Sequence, residues 1–154
     1  MAEDKENEFL RARKIESGTV IDHIPKGCAM RVLNILGITE EFPSPVSVLM
    51  NVPSSHYGHK DMIKVEGRKL EKKELAQIAL IAPDATVNTI KNYAVVDKYV
   101  VQTPSEIEGV IRCPNPSCIT AHEGTARLSV EQPHPLRLRC SFCERVYGEK
   151  DVLS

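Results

Sequence analysis

The chain has 154 residues, 42% of them hydrophobic and 5% aromatic, with no tryptophan and a formal net charge of −1. The charge is even, with 14 Lys/Arg against 14 Asp/Glu over residues 1–98 and 6 against 7 over 99–154, so neither part has the concentrated positive face that a nucleic-acid duplex requires. The start MAEDKENEFLRARK lacks the apolar core of a signal peptide, and no apolar run nears the roughly 20 residues of a membrane span, which predicts a cytoplasmic protein with no membrane partner.

Residues 1–11 are polar and read as frayed. GTVIDHI (Gly18–Ile24) is β-branched and apolar, a strand, and Pro25 after it is a place for a helix to begin. In KGCAMRVLNILG, Ala29, Val32, Leu33 and Leu36 recur at helical spacing, with Gly37 as the stop. PVSVLMNV (Pro45–Val52) reads as a strand, PSSHYGH as a turn and KDMIKVEG (Lys60–Gly67) as the next strand. LEKKELAQIALIAP is a second helix: Leu75, Ile78, Ala79 and Ala82 share a face, Glu71 and Glu74 suit the first turn, and Pro83 ends it. TVNTIKNYAVVDKYVV (Thr86–Val101) reads as a hairpin about Lys91–Asn92.

That order is β-α-β-β-α-β with an extra strand. It predicts an α+β fold: a ferredoxin-like antiparallel sheet with two helices on one face. The polar segment QTPSEIEG (Gln102–Gly109) reads as the boundary, giving domains over residues 1–101 and 102–154. The second holds four strand-like fragments, GVIRC, GTARLSVE, LRLRC and RVYG, and is too short to rest on an apolar core alone.

Four of the five cysteines form the pattern C-x4-C-x21-C-x2-C: Cys113, Cys118, Cys140 and Cys143. Each close pair can place two thiolates on one turn, and two turns complete a tetrahedral four-sulfur zinc site with no open position for water. Such a site is structural, one zinc per chain, in a small β zinc-ribbon-like domain. Two disulfides are the bland alternative, disfavoured in a reducing compartment, and an iron site is a minor one. His122 and His134 lie between the pairs as spare ligands, and Cys28 reads as a small core residue.

The first domain offers little for catalysis. Asp22 and His23 are adjacent on a strand and should point to opposite faces. No phosphate-binding glycine loop or nucleophile elbow occurs. Lys64, Lys98, His23, Asn88 and Tyr93 could line one pocket, although a solvated face is the commoner reading for such residues.

The sequence resembles the regulatory chain of aspartate carbamoyltransferase. SGTVIDHIP, KDMIKVEG, ALIAPDATVNTIKNYAVVDK and CPNPSC…CSFC occur in that family's order and approximate spacing, and cover nearly the whole chain from about residue 15. The resemblance implies a non-catalytic allosteric subunit of an enzyme of pyrimidine biosynthesis. Its N-terminal domain would bind CTP and ATP and pair with a second regulatory chain, and its zinc domain would dock on the catalytic chain, so that catalytic trimers are linked. It further implies an effector site of Ile15, Asp22, His23, Lys64, Asn88, Ile90, Tyr93, Val95 and Lys98. Lys98 and His23 suit the triphosphate, Lys64 and Asp22 the ribose and base edge, and Tyr93 and Ile15 the base. The segment RARKI (Arg11–Ile15) is more basic than the family's first strand, which leaves effector preference open. The readings set against this one are a free-standing zinc-ribbon adaptor for nucleic acid or protein, and a small enzyme using Asp22 and His23.

Overall fold

A computed structural model describes residues 14–55, 58–109, 111–123 and 126–153. The expectation for residues 1–11, the tip of the PSSHYGH turn and most of RARKI lie outside the described residues. The first sheet has five antiparallel strands, β1 (Gly18–Pro25), β2 (Val46–Ser54), β3 (Gly58–Glu66), β4 (Thr86–Lys91) and β5 (Ala94–Val100), in the order β2-β3-β1-β4-β5. This is the predicted split-βαβ order with β5 added beside β4. Helices α1 (Ala29–Ile35) and α2 (Lys72–Ile81) cover one face. Strand residues Ile21, Ile63, Val65 and Val87 meet Ala29, Val32, Ile78 and Ala79 there in one aliphatic core. The opposite face carries Val20, Met62, Lys64 and Asn88, which alternate with the core residues along the same strands.

Pro25 ends β1 and does not begin α1. The chain turns first, with the Cys28 amide donating to the Pro25 carbonyl at 3.0 Å, and α1 starts at Ala29. The cause is Asp61, a fully buried carboxylate on β3. It accepts the Gly27 and Ala29 amides at 2.9 and 3.0 Å, and on its other oxygen the Asn51 amide at 2.9 Å. It therefore caps α1 and holds β2 where its register with β3 shifts and Asn51 takes a positive φ of 59°. At its far end α1 closes in a Schellman motif: the Ile38 amide reaches the Leu33 carbonyl, the Gly37 amide reaches Asn34, and Gly37 has φ 69°.

A second irregularity falls in β1 between Ile21 and Ile24, where His23 has φ 59°. It breaks the alternation expected of Asp22 and His23. The β4–β5 connection is a two-residue turn at Asn92 and Tyr93, both at positive φ (51° and 63°), one residue beyond the predicted position. Gly18 is required at the start of β1, because a Cβ there would lie 2.1 Å from the Val65 carbonyl oxygen.

The second sheet is antiparallel, β6 (Glu106–Glu108), β7 (Arg127–Pro133), β8 (Leu136–Cys140) and β9 (Val146–Gly148), in that order. Its first strand is not GVIRC. Residues Glu106–Glu108, inside the polar boundary segment, pair with β7; Gly109 turns the chain at φ 67°, and Cys113 follows in an irregular stretch. Two short helices that the periodicity did not reveal, α3 (Ile119–Glu123) and α4 (Glu149–Leu153), flank the sheet. Leu128, Leu138, Ile107 and Cys140 form its core, and Leu80 of α2 is buried in that core too. Arg31 of α1 pairs with Glu149 of α4 at 2.5 Å. No described helix is long and apolar enough to cross a membrane.

Candidate ligand pocket and candidate metal centre

The open face of the first sheet holds a cavity of about 290 Å³. Ile15, Lys64, Asn88, Ile90, Tyr93 and Val95, all singled out in the sequence, line it together. Register explains the meeting. Val20 of β1 stands between Lys64 of β3 and Asn88 of β4 as their paired neighbour on both sides, so the three side chains share one face. Ile90 pairs with Val95 next to the β4–β5 turn. The turn brings in Tyr93, whose amide donates to the Glu16 carbonyl at 3.0 Å and so fixes the segment carrying Ile15. Lys14, Val20 and Met62 also line the cavity and were not singled out; the two-residue period that Met62 shares with Lys64 was the available signal for it.

Asp22, His23 and Lys98 do not line this cavity. Lys98 pairs with Asn88 across β4 and β5 and is exposed on the same face. Asp22 pairs with Thr86, one step along the face from Asn88. Its carboxylate accepts the His23 amide at 2.6 Å and the Lys60 ammonium at 2.8 Å. The His23 Nδ1 lies 3.1 Å from the Thr86 hydroxyl. Asp22, His23, Lys60 and Thr86 thus form a polar end beyond the apolar cavity. Lys60, which sequence reasoning missed, is in phase with Lys64 along β3. A larger cavity, about 660 Å³, lies where α2, the helix-side residues of β4 and β5, and Gln102–Pro104 meet, and contains none of the predicted residues.

The four clustered cysteines converge. Their sulfurs all lie within 4.8 Å of one another, with Cys113 to Cys143 at 3.6 Å and Cys118 to Cys140 at 3.9 Å. A zinc ion with Zn–S bonds of about 2.3 Å in a tetrahedron requires sulfurs roughly 3.8 Å apart, so the donor set fits the metal. A disulfide would need about 2.0 Å, and all five cysteines are free. Tight turns aim the ligands: the Cys118 amide donates to Asn115, the Cys140 amide to Arg145, and the Glu144 amide back to Cys140, with Glu144 at φ 61°. Cys113, Cys118 and Cys140 are buried and Cys143 is half-buried.

Electrostatics within the cluster are uneven. Burial pushes the Cys113 thiol up to about 12. The Thr120 hydroxyl, 3.0 Å from Cys118, brings that thiol down. At Cys143 burial opposes ionisation, yet hydrogen bonds led by the Arg145 amide and the Tyr147 hydroxyl hold it down to about 6. Four crowded sulfurs do not all give up their protons without a cation, and a divalent ion supplies that charge.

The family model for the aspartate carbamoyltransferase regulatory chain, allosteric domain, matches residues 10–102. That for the metal binding domain of the same chain matches residues 105–153. Among curated relatives, the aspartate carbamoyltransferase regulatory chain of Thermococcus kodakarensis is 47% identical over 146 residues, 94% of this chain and 96% of its own length. That of Thermoplasma volcanium is 48% identical over 149 residues, 96% and 98% of the two chains. That of Pyrococcus horikoshii is 46% identical over 147 residues, 94% and 97%.

Proposed function

This chain belongs to the family of aspartate carbamoyltransferase regulatory chains, and on that premise we propose that it binds nucleotide effectors on the open face of its first sheet and engages the catalytic chain through a zinc-held second domain. It is a regulatory and not a catalytic chain. The first domain spans residues 1–101 and the second 102–154. CTP and ATP are the effectors. Ile15, Lys64, Asn88, Ile90, Tyr93 and Val95 hold the base and sugar with Asp22 at the ribose edge, and His23 and Lys98 stand toward the phosphates. Cavity size supports that division: about 290 Å³ is at the small end for ligand pockets, room for the base and sugar of a nucleotide with its phosphates outside. Cys113, Cys118, Cys140 and Cys143 hold one structural zinc.

The observation that carries the reading is the convergence of six effector-site residues on one cavity, on a sheet separate from the cysteine cluster. A pair of regulatory chains is supported by β5, exposed along its whole length and bearing Val95, Val96, Tyr99 and Val100. A bare apolar edge strand invites pairing, and a second copy satisfies it. Such dimers would link catalytic trimers in the cytoplasm. The test is size-exclusion of the chain with its cognate catalytic trimer, with and without zinc, followed by CTP titration. Zinc-dependent co-elution and a nucleotide-sensitive aspartate response are the expected results. Co-elution independent of metal, or salt-sensitive binding to RNA in place of the trimer, would overturn the reading.

A further inference from the structure

Four thiolates around Zn²⁺ leave a net charge of −2, and here three of the four sulfurs are buried. Hydrogen-bond donors aimed at the sulfurs are the means a protein has of spreading that charge and holding its ligands in place. The cluster has such a donor on each side. Thr120, itself buried, places its hydroxyl 3.0 Å from Cys118. Tyr147 places its hydroxyl 3.7 Å from Cys113 and 3.7 Å from Cys143, astride a sulfur pair that is 3.6 Å apart. Its position is set by β9, where Tyr147 pairs with the buried Leu138 of β8 and packs its ring on the second core.

We propose that Tyr147 is a positioning residue of the metal centre, its one hydroxyl proton shared between the Cys113 and Cys143 thiolates and setting how tightly the metal is held. The inference rests on the four-cysteine zinc site proposed above. Direction follows from chemistry: a metal-bound thiolate has no proton to give, so the phenol is the donor. The location gives the bond its consequence. Cys143 is the ligand that is only half-buried, the sulfur that a chelator or an incoming electrophile meets first. A hydrogen bond there lowers the nucleophilicity of the exposed thiolate and opposes its departure from the metal. Packing alone does not require the oxygen, because a phenylalanine ring would fill the same place against the core.

The test uses the full chain and its Tyr147→Phe variant, each loaded with Zn²⁺ or Co²⁺. In the cobalt form, losing a donor to sulfur makes the thiolates easier to oxidise. The sulfur-to-cobalt charge-transfer band should move to longer wavelength while the ligand-field bands keep their tetrahedral pattern. In competition with a chromophoric chelator, zinc affinity should fall about tenfold, the lower end for loss of an outer ligand contact, and zinc transfer should quicken. A merely structural tyrosine could lower affinity but would not move the charge-transfer band, so an unchanged band overturns the inference whatever the affinity does. If the wild-type chain takes up neither metal at one per chain, it is the zinc-site reading that fails. Should Tyr147→Phe not fold, 3-fluorotyrosine at position 147 keeps the ring and strengthens the donor; the band should then shift to shorter wavelength, and no shift overturns the inference.

Discussion

The Lys60 ammonium lies 2.8 Å from the Asp22 carboxylate, both largely shielded from solvent, at the polar end of the open face. The pair joins β3 to β1 just where His23 leaves the regular register. It also keeps a cation beside the cavity, in phase with Lys64.

Lys60→Ala should therefore weaken triphosphate binding more than nucleoside binding. A charge-assisted contact is worth about 1.5–3 kcal/mol, or about ten- to a hundredfold in affinity. Calorimetry with CTP and with cytidine separates the two. The expected result is a large loss for CTP and little change for cytidine, and an equal loss for both would move Lys60 from the phosphate end to the base.

Tyr93 holds a positive φ of 63° in the β4–β5 turn, where a glycine would rest without strain. Such a conformation costs a bulky residue about 1–3 kcal/mol and persists where the side chain serves a purpose. Tyr93→Gly should leave stability unchanged or raised by about 1 kcal/mol while lowering CTP affinity, since the ring lines the cavity. Thermal unfolding and calorimetry on one sample check both halves. A variant that binds CTP normally would show the ring to be dispensable.

Asp61 accepts three backbone amides from two separate segments. Hydrogen bonds to a charged acceptor contribute about 1.5–3 kcal/mol each and are not additive, so Asp61→Ala should cost about 3–5 kcal/mol in urea unfolding. Amide exchange should speed at Ala29 and Asn51 together. A cost below about 1 kcal/mol would mean that α1 and the β2 irregularity form without the carboxylate.

Metal removal should act on one sheet first. Strands β6–β9 surround the cysteine cluster with a small core, so stripping zinc with a chelator, or Cys140→Ser, should unfold that part while CTP binding survives. Acid should do the same, because protons compete with zinc for the thiolates. If β6–β9 keep their amide protection after complete chelation, the metal is not what holds them.

Much of this was legible in the sequence because it depends on periods and spacings. The two-residue alternation of MIKV and VNTI separates the helix-covered face from the open one, and the paired cysteines announce a tetrahedral set by spacing alone. What escaped depends on tertiary partners. A carboxylate at Asp61 reads as surface until α1 and β2 bring it their amides. The strand Glu106–Glu108 hides in a polar segment because Ile107 alone turns inward. His23 and Asn51 bend their strands through positive φ values that neither residue type dictates. Lys60 and Tyr147 owe their places to register.

Leu80 shows why the chain's two parts are not independent. It sits on α2, whose neighbours Ile78, Ala79 and Ile81 belong to the first core, yet its own side chain is buried in the second. A second link, Arg31–Glu149, is an ion pair with both partners substantially exposed, and such pairs contribute about 0–1 kcal/mol. Truncating a buried leucine costs about 2–5 kcal/mol, so the apolar link dominates. An effector acts at a distance only if its binding biases a structural element that the other site also feels, and α2 is the element common to both cores. Leu80→Ala in the full chain should leave CTP affinity within about twofold, because no cavity residue is touched, and should shrink the effect of CTP on aspartate saturation in the assembled enzyme. Couplings of this kind are about 1–3 kcal/mol, large enough for a partial loss to be read. Arg31→Ala should change the response far less. If Leu80→Ala kept the full nucleotide response while Arg31→Ala abolished it, the signal would pass through the ion pair between α1 and α4 and not through the shared helix.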